Sequence, residues 1–172
     1  MPNYTQKISS LVQTLLRPDR LHLSPIHAQF EPSSRCNQNC VHCEHDKNRK
    51  NPRDTTFDEF KDFYDLLKPL YITLTGYGDP LMCTDLPEII GYARDKGTQV
   101  NTTTNGILLK KYAQQLIDSR LNLINVSLDA AKEETYAKIR GLHTFDKIVE
   151  DIKSFNRLRK ANNSETLLRL SI

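Results

Sequence analysis

Three cysteines close together, in the run Cys36-Asn37-Gln38-Asn39-Cys40-Val41-His42-Cys43, are the residues of this chain best suited to chemistry. Three thiolates can hold a four-iron cluster and leave its fourth iron without a protein ligand, open to a substrate or cofactor. The C-x3-C-x2-C spacing confines them to one short loop, so a single local fold can aim all three at one face of a cluster. Zinc is a competing reading, with His42 or His45 as fourth ligand, although zinc ligands more often come as two separated pairs. Free or disulfide-bonded thiols are a third. The remaining cysteine, Cys83, lies beside Met82 at the expected start of a helix and reads as buried and apolar rather than as a ligand.

A loop of this kind needs a frame, and the chain supplies one by alternating short β-rich runs with longer amphipathic ones. Residues 26–31 form the first expected strand and lead straight into the cysteines. Thr56-Phe57-Asp58-Glu59 is a capping-box pattern that opens a helix, with Phe57, Phe60, Phe63, Tyr64 and Leu67 on one face as core. Strands are expected at 70–75, 98–103, 121–128 and 167–172. Helices are expected at 85–96, closed by Gly97, at 107–119, and as a crossover at 132–139 and 145–160. Repeated strand-helix-strand order predicts a parallel sheet in an α/β fold, with helices packed outside it and right-handed crossovers.

In such folds ligands sit at the carboxyl ends of the strands. After the cysteines, the next strand ends are Gly76-Tyr77-Gly78-Asp79-Pro80, Thr103-Thr104-Asn105-Gly106 and Ser127-Leu128-Asp129. Small, hydroxyl-bearing and acidic residues at successive strand ends describe a polar ligand lying across the top of the sheet. Asn105 and Asp129 read as residues that hold their turns in shape.

Composition bounds the rest. The chain has 172 residues, 38% of them hydrophobic, which is one domain's worth and enough to bury a core. A net charge of +3 is too mild to imply a nucleic-acid partner. Lys47, Arg49, Lys50 and Arg53 cluster after the third cysteine, but such a run is usually a solvated loop. No apolar run reaches membrane-spanning length. The first residues mix Gln6, Lys7, Arg17, Asp19 and Arg20 with apolar ones and show no signal-peptide core. A cytoplasmic location follows, where thiols stay reduced and available to metal. Residues 1–22 form a separate N-terminal helical extension, in which Leu11, Leu15 and Leu16 are expected on a short amphipathic helix packed against the open side of the sheet.

The ordered set of C-x3-C-x2-C, Gly-rich acidic-Pro turn, Thr-Asn-Gly turn and Ser-Leu-Asp strand end resembles the core domain of the radical S-adenosylmethionine (radical SAM) superfamily. The likeness runs over about residues 26–172. It is greatest to the branch whose members carry a further C-terminal iron-sulfur domain of the SPASM or twitch type. The resemblance implies a partial TIM-like (β/α) barrel over residues 23–172, with about five parallel strands and outer helices. The family's usual core has six strand-helix units, so the chain reads as truncated, without the last strand or a substrate-covering domain.

The resemblance also implies the cofactors, a 4Fe-4S cluster and S-adenosylmethionine. Cys36, Cys40 and Cys43 would ligate three irons. His42 stands where the family usually has an aromatic near the adenine. Gly76, Gly78 and Asp79 match the turn that meets the methionine ammonium, with glycines admitting backbone carbonyls and a carboxylate accepting. This chain departs from the pattern there, with Tyr77 for the usual first glycine and Asp79 for the commoner glutamate. Thr103 and Ser127 would hydrogen-bond the methionine or ribose portion, and Arg140 the cofactor carboxylate. The implied activity is one-electron cleavage of S-adenosylmethionine to a 5'-deoxyadenosyl radical that abstracts hydrogen from a peptide or small metabolite. It would need an external donor such as a flavodoxin or ferredoxin. A non-catalytic cofactor-binding module completed by a partner chain is the alternative, and a zinc-stabilised nucleic-acid-binding protein a second.

Overall fold

The computed structural model describes residues 4–16, 24–45 and 51–172. Among the described residues six α-helices and five strands follow one another as α1 (Tyr4–Leu16), β1 (His27–Phe30), α2 (Phe57–Leu67), β2 (Tyr71–Leu74), α3 (Leu86–Asp95), β3 (Gln99–Thr104), α4 (Leu109–Asp118), β4 (Leu123–Ser127), α5 (Glu133–Arg140), α6 (Phe145–Ala161) and β5 (Leu167–Ser171). The strands make one sheet in the order β1-β2-β3-β4-β5, every pair parallel. This is the α/β architecture that the alternating pattern predicts, with element ends within a few residues of those expected.

One row across the sheet shows how the frame is built. Phe30, Leu74, Thr102, Ile124 and Leu168 stand side by side in register. Together with Ile72, Val100 and Val126 they form the face that α2 to α6 cover, and Ile72, Leu74, Val100, Ile124 and Val126 are fully buried there. Side chains alternate along a strand, so the opposite face carries mostly polar residues, Gln29, Thr73, Asn101, Thr103 and Asn125, together with Tyr71, Leu123 and Leu167. An apolar helix-covered face and a polar open one fix the register, because a one-residue slip would exchange them.

Local signals explain where the elements begin and end. Thr56 Oγ1 accepts from Glu59 N at 3.2 Å, and Glu59 Oε2 accepts from Thr56 N at 3.0 Å, so the capping box forms as read. Gly97 takes a left-handed φ of 85° after α3, a conformation that costs glycine little. Phe30, the last residue of β1, meets Phe60 edge-on at 5.2 Å and Phe63 at 4.7 Å between centroids. Those contacts fix the direction in which the chain leaves β1 and enters the cysteine loop.

The N-terminal expectation needs correction. The helix α1 forms, but Leu11 and Leu15 point to solvent, 59% and 73% exposed, together with Ile8 and Val12. Its described link to the body is Lys7 Nζ, 2.9 Å from the Tyr71 hydroxyl and 5.1 Å above that ring. Tyr71 shares its sheet face with Thr73 and Asn101, and a polar face gives an apolar helix stripe nothing to bury against. The side chain of Leu16 and the basic residues Lys47, Arg49 and Lys50 lie outside the described residues. Among the described residues, no helix is long and apolar enough to cross a membrane.

Candidate functional site: a three-cysteine loop over the strand ends

The chain beyond β1 runs as an extended loop against its own returning segment. Ser34 N donates to Arg53 O at 2.9 Å and Thr55 N to Pro32 O at 2.8 Å. Arg35 forms a fork on Asp54, with Nε to Oδ1 at 2.9 Å and Nη2 to Oδ2, and Nη2 also reaches Met82 O at 2.9 Å. A bidentate guanidinium-carboxylate pair fixes geometry as well as adding energy. Here it ties the start of the cysteine loop to residues 54 and 82 together.

The turn after β2 closes on the same loop. Asp79 N donates to Arg35 O at 2.8 Å. Tyr77 N and Gly78 N both donate to Glu31 Oε1, at 2.7 and 3.1 Å. A Cβ on Gly78 would lie 2.0 Å from Ser33 O, and one on Gly76 would lie 2.3 Å from Glu31 Oε1. Gly76 and Gly78 therefore permit an approach of the chain to itself, a role the ligand-centred expectation for this turn did not contain.

Asp79 is 4% exposed, and both its oxygens are engaged. They accept from Leu81 N at 2.9 Å, from Thr104 Oγ1 at 2.9 and 3.1 Å and from Asn105 N at 2.7 Å. Burial pushes its carboxyl above the ordinary carboxylate range, and the N–H and O–H donors oppose that shift. The carboxylate thus joins the turns after β2 and β3. Asp79→Ala leaves two buried backbone N–H groups unpaired, at about 1–3 kcal/mol each. Urea denaturation should show a loss of roughly 2–5 kcal/mol, within the range of two such groups, and a loss under 1 kcal/mol would contradict this account.

On the far side, α5 supports the loop. Val41 N donates to Ile139 O at 2.9 Å, and Gln38, 6% exposed, donates through Nε2 to the Tyr136 hydroxyl. Arg140, 7% exposed, pairs through Nη2 with Asp129 Oδ2 at 2.7 Å and Ser127 O at 2.9 Å. Its Nη1 lies 3.4 Å from both Gln38 Oε1 and Cys40 Sγ. The Nε of the same guanidinium is buried without a partner. Asp129 holds a left-handed φ of 56° and also faces His42 Nε2 at 3.4 Å. His45 Nε2 meets Ser34 O at 2.9 Å, while its buried Nδ1 has no partner.

The result is one cavity of about 430 Å³ over the carboxyl ends of β2, β3 and β4, within the size range of small-molecule and cofactor sites. Cys36, Cys40, Cys43, His42, Gly76, Gly78, Asp79, Thr103, Ser127 and Arg140 all line it. All three cysteines are free thiols. Burial raises the Cys36 thiol above its ordinary range, against hydrogen bonds from the Gln38 backbone and the Asn105 side chain. Neither the Thr103 nor the Ser127 hydroxyl has a protein partner among the described residues. Cys83 is fully buried elsewhere, its Sγ 3.5 Å from Thr55 O, and burial pushes its thiol up to about 11. Three free thiols and a guanidinium lining one cavity fit a thiolate-held iron-sulfur cluster and an anionic group next to it.

Sequence reasoning left Gln38 and Glu31 unremarked and gave Asn105 and Asp129 only turn-shaping roles. Asn105 Oδ1 does cap its own turn, accepting from Ile107 N at 3.0 Å. Its Nδ2 goes further, to Asn37 Oδ1 at 2.7 Å and to within 3.8 Å of Cys36 Sγ. No periodicity marks such residues. The one usable signal was the position of Gln38 inside the cysteine spacing.

Comparison with known proteins agrees with this geometry. A 33% identical relative over 143 residues is a probable GTP 3',8-cyclase of Methanococcus maripaludis, covering 80% of this chain and 45% of the relative. A second M. maripaludis protein of that name is 52% identical over 69 residues, 40% of this chain and 23% of its own length. The chain thus spans less than half the length of these curated relatives. Among solved structures, Streptococcus suis SuiB bound to S-adenosylmethionine superposes with a TM-score of 0.70 at 20% identity, over 95% of this chain and 37% of that one. BtrN in complex with AdoMet and 2-DOIA gives 0.59 at 21% identity, over 89% and 58%. These two show the shared fold. Residues 30–168, from the end of β1 into β5, match the radical SAM superfamily, so the chain belongs to that superfamily, whose members bind a 4Fe-4S cluster and S-adenosylmethionine.

Proposed function

We propose that this chain is the cluster- and cofactor-binding part of a radical SAM enzyme, with Cys36, Cys40 and Cys43 as the protein ligands of a 4Fe-4S cluster. The observation that carries the reading is the shared cavity: three free thiols and the carboxyl ends of three strands face one space. When bound, cluster and S-adenosylmethionine supply the reductive carbon-sulfur cleavage that yields a hydrogen-abstracting 5'-deoxyadenosyl group. The protein's part is placement. The unpartnered Thr103 and Ser127 hydroxyls offer hydrogen bonds to a polar ligand across the strand ends. His42 stands beside Asp129, and the Arg140 guanidinium, whose buried Nε has no protein partner, lines the same cavity. Gly76, Gly78 and Asp79 line the same cavity, and because protein donors engage the Asp79 carboxylate, backbone groups of this turn would meet the amino group of the cofactor.

Electrons would enter from outside. Cys43 is exposed and Val41 is 75% exposed, so the outer edge of the loop is accessible to a small donor protein such as a flavodoxin or ferredoxin. A reducing, cytoplasmic location suits such thiols. For the substrate, the similarity to proteins named as probable GTP 3',8-cyclases favours a purine nucleoside triphosphate over a peptide.

Anaerobic reconstitution with iron and sulfide, then reduction, tests the reading. The electron paramagnetic resonance signal should shift on adding S-adenosylmethionine, and 5'-deoxyadenosine should accumulate in the same sample. Addition of GTP should increase that yield. A signal that shifts without any 5'-deoxyadenosine would leave a non-catalytic binding module, and failure to incorporate iron would refute the assignment.

A further inference from the structure

Each of the three cysteine sulfurs faces an N–H donor, Cys36 having the backbone N–H of Gln38 as well as a side-chain donor, and the two side-chain donors come from different elements of the fold. Cys36 Sγ lies 3.8 Å from Asn105 Nδ2 in the turn after β3, Cys40 Sγ 3.4 Å from Arg140 Nη1 at the end of α5, and Cys43 Sγ 3.4 Å from His45 N in the loop itself. From this we propose that Asn105 and Arg140 are positioning residues that set the reduction potential of the cluster through N–H···S hydrogen bonds to Cys36 and Cys40. The inference rests on the cysteines holding a cluster, as proposed above.

Both donors are immobilised by contacts that leave the relevant N–H aimed at sulfur. Asn105 is held at three other points, its backbone N on Asp79 Oδ2, its Oδ1 under Ile107 N and its Nδ2 on Asn37 Oδ1. One hydrogen of its amide is thus directed along the cysteine loop. In Arg140 the Nη2 is clamped by Asp129 and Ser127 O, which turns Nη1 towards Cys40 and Gln38. Asn105 is 6% and Arg140 7% exposed. Hydrogen bonds away from water are electrostatically stronger than in solution, and one from a guanidinium is charge-assisted.

The direction of the effect follows from charge. A one-electron reduction, with the electron supplied by a chemical reductant such as dithionite, adds negative charge that spreads onto the ligand sulfurs. Donors aimed at those sulfurs stabilise the reduced form more than the oxidised one, and hydrogen bonds to sulfur are among the levers that set cluster potentials. Two such side chains therefore raise the potential and ease electron entry. A role limited to holding the loop would leave the potential of a loaded cluster unchanged.

The test is a redox titration of the reconstituted full chain followed by electron paramagnetic resonance, without S-adenosylmethionine. Asn105→Ser keeps a short side-chain acceptor for Ile107 N and removes the donor to Cys36. Arg140→Met removes the donor and the charge at Cys40, and Arg140→Lys restores the charge without the fork. Asn105→Ser and Arg140→Met should each weaken the reduction equilibrium about tenfold, a midpoint about 59 mV lower for one electron. Arg140→Lys should fall between Arg140→Met and wild type. Wild-type midpoints in iron-loaded variants would overturn the inference while leaving the cluster assignment intact. Loss of iron from all three variants would make these residues props of the loop and overturn it as well. Absence of iron from the wild-type chain would instead remove the assignment on which it rests.

Discussion

Alanine in place of Cys36, Cys40 or Cys43 should each reduce reconstituted iron to background, whereas Cys83→Ala should leave iron content unchanged. A cluster held by three thiolates has no spare protein ligand, so loss of any one removes a third of its protein bonds. Cys83 belongs to the packed interior. It is fully buried, its thiol is kept protonated to about 11, and it does not line the cavity. A protonated, buried thiol is both a poor ligand and a poor nucleophile. The Cys83 variant should lose about 1 kcal/mol of stability from the vacated volume. Iron measured by colorimetry, with sulfide measured alongside, gives the comparison. Equal loss of iron in Cys83→Ala would contradict the three-ligand assignment.

The second large effect is expected at a glycine. Gly78→Ala places a methyl 2.0 Å from Ser33 O and 2.7 Å from Arg35 O, both backbone atoms with no rotamer through which to yield. The loop carrying the cysteines and the turn after β2 must then separate, breaking the Asp79 N to Arg35 O bond and the contacts of Glu31 with the turn. A loss of at least about 3 kcal/mol is expected from such overpacking combined with broken buried hydrogen bonds. Iron binding should fall with it. Gly91→Ala is the matched control, because a Cβ there meets nothing within 4 Å and the position is inside α3. That variant should gain roughly 0.5–1 kcal/mol. Thermal melts of the two variants should therefore move in opposite directions, and a Gly78→Ala protein as stable as wild type would show that the close approach is dispensable.

What could be read from the sequence was what repeats or caps. The five strands and the outer helices follow from periodicity, and the Thr56 to Glu59 box and Gly97 mark ends by local chemistry that the structure reproduces. The residues that build the cavity could be found by position, because ligands gather where parallel strands end. Their partners could not. That Arg35 clasps Asp54 and Met82 O, that Glu31 caps the turn at Tyr77 and Gly78, and that Arg140 turns to Cys40 are pairings between distant segments without a periodic trace. The N-terminal helix shows the reverse case. Its amphipathic pattern was correctly read as helical, but an apolar stripe specifies only that a helix can form, and the polar sheet face near Tyr71 decides that Leu11 and Leu15 find no cover.

The strictly sequential strand order carries a consequence for the birth of the protein. Each strand pairs with the one made just before it, so the sheet can grow from the amino terminus while the ribosome is still at work. The cysteine loop cannot mature on that schedule. One of its walls is the end of α5, and 100 residues separate Cys40 from Arg140. At ordinary elongation rates that interval lasts roughly 5–20 s. For that time the nascent chain carries the three thiols without the wall that α5 supplies, so on the three-ligand reading a cluster would be inserted after the fifth helix has been made rather than with the loop.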